Sequence, residues 1–434
     1  MNQVLNVFKS TLHDRDTRRK ILIVLSILIV FRFFAHIPVA GVNIAQIKSL
    51  FDQNQLLGLL DIFSGGTLSN FSILAIGLGP YIYASIVMQL LTIVYPKLEE
   101  LQKEGEYGRQ KINQYTRFLT LPLAVIQSLG MYALLRNQQI ITSLSVFEVI
   151  SFVVTMTAGT VLVMWLGELI SEQKIGNGIS LLIFAGIVGR IPVVIFQTLS
   201  TVNSQDILNL AVFAALGIIV IAAIVFVNEA IRKVPIYYAK RVRGSKTYGG
   251  QSTHLPLKLN QSGVIPIIFA VSIVLLPSLV ANYLVSSPNK SFAGLGAFLA
   301  THFNPDGIAY NIVYFLLVMG FTYFYTAVIF NPQKISEEIQ KYGGFVPGVR
   351  PGKPTATFLN YVTTRITLPG AVFLGLIAVL PSVLSAATGI SALLIGGTSI
   401  LIVVSVVIET VKILEVNIVQ RNYDRFTSGS SLGF

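Results

Sequence analysis

Four histidines, one lysine among glycines and prolines, and a few acids set in apolar stretches are all that this sequence offers for catalysis or ligation. His13, His36, His254 and His302 form no pair at metal-ligand spacing, and no His-Glu-x-x-His occurs. Cysteine is absent, which removes both a disulfide framework and a thiolate metal site. The nearest thing to a phosphate loop is Gly348-Val349-Arg350-Pro351-Gly352-Lys353-Pro354-Thr355. Its glycines stand too close together and a proline follows the lysine, so it cannot open a phosphate-cradling helix. No nucleophile has a paired base, so an integral membrane enzyme is a poor reading and no cofactor or metal is expected. Any driving force must come from a partner or a gradient.

The composition explains where so little chemistry would reside. Of 434 residues, 53% are hydrophobic and 12% charged, far from the usage of a soluble domain. The net charge of +12 allows two readings, a nucleic-acid binder or a membrane protein whose Lys and Arg stay on the cytoplasmic side. A hydrocarbon core needs roughly 20 apolar residues per helix. Ten such stretches are predicted, near 21–37, 72–95, 118–135, 149–167, 175–200, 207–228, 262–285, 309–330, 368–387 and 391–411. Ile366 to Ile408 carries no charge over about two spans, which places a tight outer turn near Ser385–Ser391.

An even number of spans puts both termini on one side. Of the 31 Lys and Arg, only Lys48, Arg136, Arg190 and Lys290 fall at the opposite face, and Arg32 lies inside the first span. The N-tail (1–20) and C-tail (412–434) are therefore read as cytoplasmic. A cleaved signal peptide, with Pro38-Val39-Ala40-Gly41 as a faint cleavage site, would leave nine spans and reverse the charge logic.

Ten spans divide into an N-terminal half (21–200) and a C-terminal half (207–411), and five per half sets one inverted against the other. The second span of each half opens on a similar break, Gly77-Leu78-Gly79-Pro80 and Gly263-Val264-Ile265-Pro266, which points to a path between the halves. Outside, Leu57, Leu59, Leu60, Ile62 and Phe63 precede Ser64-Gly65-Gly66, in a segment of about 56–70 too short to cross. It reads as a re-entrant apolar helix or as an external cap.

Transporters and pumps keep ionisable groups near the midplane. Here Arg32, Glu168, Arg190, Glu229 and Glu409 fall at or toward span ends, where snorkelling explains them. In loop 232–261, alternating apolar residues flank a glycine-rich turn, which predicts a protruding β-hairpin. Its Lys240, Arg241, Arg243, Lys246 and Lys258 suit an acidic protein surface or ribosomal RNA, or serve topology alone. In loop 331–367, Asn331-Pro332 predicts a capped helix start, Gly343 its end, and the turn from Phe345 to Gly352 presents Arg350 at a stiff tip.

These residues resemble the SecY family, channel subunits of the bacterial Sec translocon. The likeness covers about Arg15 to Arg425. It rests on Ile62 to Gly66, Gly77 to Ser85, Gly105 through Arg117, Gly176 to Ser180, Leu255 to Lys258 with Gly263 to Pro266, Gly343 to Gly352, and Gly396 to Ser399. The resemblance implies an all-α polytopic membrane protein of the bacterial plasma membrane with a central hourglass pore. The waist would be a ring of Leu78, Ile82, Ile183, Ile187, Ile268 and Ile402, with Leu78 standing where isoleucine is usual. A purely apolar constriction resists ions by dewetting and offers a passing chain no fixed hydrogen bond.

The same likeness makes Leu56 to Asn70 a plug, and spans two, three, seven and eight a lateral gate opening to lipid. Thr92, Gln127 and Asn260 would form a polar cluster there. Arg350 and the basic hairpin would receive the SecA ATPase and the ribosome. SecE is the implied obligate partner and SecG an accessory one, with signal peptides and unfolded preproteins as cargo. The expected function is passive conduction of unfolded chains and sideways release of membrane segments into the lipid bilayer. A secondary transporter for a small solute is the rival.

Overall fold

The structure is a computed structural model and describes residues 15–39, 61, 66–68, 70–137, 141, 145–201, 207–238, 241–243, 246–248, 252–285, 289–303, 307–388 and 397–429. Its helices are α1 (Arg15–Phe34), α2 (Gly79–Val94), α3 (Pro96–Lys103), α4 (Glu106–Asn137), α5 (Val146–Glu172), α6 (Gly178–Thr201) and α7 (Ile207–Glu229). After the β-strands come α8 (Ile265–Val285), α9 (Lys290–His302), α10 (Ile308–Ile329), α11 (Pro332–Lys341), α12 (Lys353–Thr388) and α13 (Gly397–Gly429).

Each apolar stretch predicted to span overlaps one helix, α1, α2, α4 to α8, α10, α12 or α13, with 391–396 of the last stretch outside the described residues. By length and composition, α4, α5, α12 and the run from α10 into α11 could each cross a bilayer among the described residues. A fifth candidate is α2 with α3, which turns through 99° at Pro96.

The differences lie at helix ends. Residues 70–78 form turns, so α2 starts at Gly79 rather than near 72. Gly77, at φ +60°, lets the chain reverse there, and Pro80 follows in the first helical turn, where its missing N–H costs nothing. Gly263, at φ +65°, stands before α8 and Pro266 in the same way, so the two breaks read from the sequence share one local conformation. Loop 331–367 is largely helical, because α12 begins at Lys353. α12 also runs through Ser385 to Thr388, and the rest of the expected outer turn lies outside the described residues. The sequence reading missed α9, whose Asn289 side chain accepts the Ser291 N–H at 3.1 Å as an N-cap.

The β-hairpin is present. β1 (Ile231–Tyr238) pairs antiparallel with β4 (Ser252–Lys258), from Ile231 opposite Lys258 to Tyr237 opposite Ser252. A short ribbon of β2 (Arg241–Arg243) and β3 (Lys246–Tyr248) extends it. A third strand, β5 (Gly344–Phe345), comes from the other loop and pairs with the far edge of β1. Val234, Ile236 and Leu257 alternate inward and pack with Ile339, Val346 and Leu359 from the second loop. The two loops therefore fold as one body. Gly344 is needed where they meet, since a Cβ there would lie 3.0 Å from both Ile339 and Tyr238.

Candidate functional site

The six residues expected to form a ring come from both halves of the chain. Leu78 caps α2 and Ile82 lies in its first turn, Ile183 and Ile187 are a turn apart on α6, Ile268 is on α8 and Ile402 on α13. All six are buried, none more than 9% exposed, and all belong to one continuous apolar cluster. Among the described residues, Asp61 is the only buried Asp, Glu, Lys, Arg or His. The cluster thus offers van der Waals surface without a charged side chain among the described residues.

Next to this cluster lies a contact the sequence did not reveal. The Arg190 guanidinium on α6 forms an ion pair with the Asp61 carboxylate, which is fully buried. The aliphatic stem of Arg190 also covers Gly66, lying 3.3 Å from where a Cβ would stand. Gly66 sits at φ +79° and donates its N–H to the Asp61 carbonyl at 2.7 Å. One turn earlier on α6, Arg32 of α1 donates to the Gly186 carbonyl at 3.4 Å. Its guanidinium fills the place a Gly189 side chain would take.

Several charges read as snorkelling have protein partners instead. Arg117 pairs with Glu168 at 2.6 Å, tying α4 to α5, and Lys412 pairs with Glu229 at 2.7 Å, tying α13 to α7. Both pairs keep a large exposed fraction, so each contributes little on its own and serves to link neighbouring helices.

Leu57, Leu59, Leu60, Ile62, Phe63, Ser64 and Gly65, like Lys240, lie outside the described residues. Just beyond them, Thr67 donates to the Leu74 carbonyl at 3.0 Å, and Leu68 and Phe71 pack with Phe152 and Met156 of α5. The chain after Gly66 is thereby anchored to α5.

Helices α2 and α4 pack closely on each other, as do α8 and α10, while α2 and α4 meet α8 along a thinner seam. Tyr83 spans it, donating to the Ser272 carbonyl at 3.5 Å. No hydrogen bond joins Thr92, Gln127 and Asn260 to one another. Thr92 donates to Gln89 on its own helix at 2.7 Å, Gln127 lies against Gly79, and Asn260 donates to Asn228 at 3.0 Å.

Arg350 is exposed at the tip between Gly348 and Gly352, at φ +79° and +92°. Thr355 donates to the Arg350 carbonyl at 2.8 Å and Ser336 to the Gly352 carbonyl at 2.7 Å, so both flanks of the tip are fastened. Arg241, Arg243 and Lys246 belong to the β2–β3 ribbon, with Arg243 opposite Lys246, and Lys258 is exposed at the end of β4.

The SecY family model matches residues 72–411. The protein translocase subunit SecY of Streptomyces scabiei is 43% identical over 444 residues, covering 98% of this chain and 100% of the relative. A solved protein-conducting channel superposes with a TM-score of 0.61 at 18% identity, covering 91% of each chain. Sec61 in the canine ribosome-channel complex from the endoplasmic reticulum gives 0.56 at 16%, again over 91% of each.

Proposed function

The chain belongs to the SecY family, and from that premise we propose that it conducts unfolded secretory polypeptides across a membrane without catalysing a reaction. The observation that carries this reading is the shared burial of Leu78, Ile82, Ile183, Ile187, Ile268 and Ile402 in one charge-free cluster built from both halves. A constriction of branched aliphatic side chains dewets when closed and is indifferent to the sequence of what passes. A solute transporter instead needs fixed polar groups at its centre.

The finer assignments follow from the same reading. Ten crossings in two inverted halves place both termini in the bacterial cytoplasm and make the hairpin and Arg350 a cytoplasmic docking surface. The relative assembled with a ribosome supports the ribosome as one partner there. The motor ATPase SecA is the other, with SecE and SecG as membrane partners. Residues 56–70 act as the plug, and the seam of α2 and α4 against α8 and α10 opens sideways to lipid.

The test is reconstitution of the chain with its membrane partners in proteoliposomes. ATP-dependent uptake of an unfolded precursor when motor is added supports the channel. Uptake of small solutes without a motor, and no precursor movement with one, overturns it.

A further inference from the structure

A fully buried carboxylate in an apolar membrane protein is costly unless something compensates it, and Asp61 is the only residue of its kind among the described residues. We propose that the Asp61–Arg190 ion pair is an electrostatic catch that holds Asp61 and Gly66 against α6 in the resting channel. The proposal rests on the channel reading above and adds to it a specific pair of gating residues.

Three observations converge on one turn of α6. Arg190 pairs with Asp61, its stem packs on Gly66, and Gly66 closes back onto the Asp61 carbonyl at 2.7 Å. Arg190 also follows the ring residue Ile187 by three positions, so the catch and the constriction share a helical turn. The Arg32 guanidinium, seated on Gly189 between them, braces that turn against α1. Displacing Asp61 from this seat separates two opposite charges, one of them fully buried. Removing either partner alone leaves an uncompensated charge and weakens the seat. Because Asp61 is out of water, salt screens the pair weakly.

The experiment uses membrane vesicles carrying the full-length chain with its partners. Asp61→Asn and Arg190→Gln should each raise resting ion conductance at least about tenfold, while the exchanged pair Asp61→Arg with Arg190→Asp should bring it back toward the parent. The chain contains no cysteine, so Asp61→Cys with Arg190→Cys provides a clean pair for a short bis-maleimide. Crosslinked protein should stay ion-tight and stop precursor transport. Where a neutralised variant does not accumulate, the crosslink decides.

Resting conductance unchanged in both neutralised variants, or full transport through crosslinked protein, overturns the catch. Failure of the parent chain itself to move a precursor would instead bring down the channel reading, so the two failures are distinguishable.

Discussion

Asn260 Nδ2 donates to Asn228 Oδ1 at 3.0 Å, which ties the end of the basic hairpin to the last turn of α7. Asn228 passes the contact on, donating through its own Nδ2 to Ser405 of α13 at 2.9 Å. Asn260 also receives Ser262 at 3.3 Å and donates to the Gly263 carbonyl at 3.2 Å, directly before α8. Two helices of the C-terminal half and the segment leading into α8 therefore share one part-buried polar knot. Asn228→Leu strands a partner on each side and should cost about 1–3 kcal/mol. The thermal unfolding midpoint of the purified chain in detergent should fall clearly, and by less for Ser405→Ala, which cuts one bond. An unchanged midpoint for Asn228→Leu would show that the knot adds nothing.

Two glycines separate close approach from mere composition. A Cβ on Gly159 of α5 would lie 2.0 Å from the Ile73 carbonyl oxygen, so Gly159→Ala must push α5 away from the turns before α2. Gly130 of α4 has nothing within 4 Å. Gly130→Ala should be neutral or stabilising by up to about 1 kcal/mol, the helix-propensity gain. Gly159→Ala should lower the unfolding midpoint sharply, and equal midpoints for the two variants would contradict the packing described.

The start of α5 should respond to acid. The Ser145 backbone N–H at 2.7 Å and its hydroxyl at 2.8 Å both donate to the Glu148 carboxylate and hold it below the usual carboxylate range. A group whose folded value is lowered stabilises the fold above its ordinary value and loses that contribution as pH falls through the lowered one. Hydrogen exchange at the Ser145 amide, measured against intrinsic rates, should be protected at neutral pH and lose protection in acid. Glu148→Gln should flatten that dependence.

Spanning helices were legible because apolar runs of about 20 residues leave few alternatives, and Asn331-Pro332 with Gly343 marked α11 at both ends. Helix ends were less so. Lys353, Arg365 and four threonines make the first turns of α12 read as loop, although packing against β1 and β4 holds them helical. The two residues of β5 are too few to show a period. Asp61 and Arg190 stand 129 residues apart, and Arg190 alone reads as an interfacial charge, so only the fold could pair them. Asn260, grouped by resemblance with Thr92 and Gln127, bonds instead to a neighbour 32 residues upstream.

Arg350 provides the sharpest separation of docking from conduction. Its backbone is fastened by Thr355 and its side chain is exposed, so replacing the side chain leaves the fold of the tip intact. Arg350→Ala should therefore reduce motor-driven precursor transport about tenfold or more, the scale for loss of a charged anchor at an interface. Resting ion conductance and the unfolding midpoint should not move, because the tip belongs to the hairpin's own apolar cluster and not to the one containing Leu78, Ile187 and Ile402. Thr355→Val frees the Arg350 carbonyl while keeping the cation, and should give a milder transport defect. Transport, conductance and stability declining together in Arg350→Ala would mean that the arginine supports the fold, and its role as a docking contact would be lost.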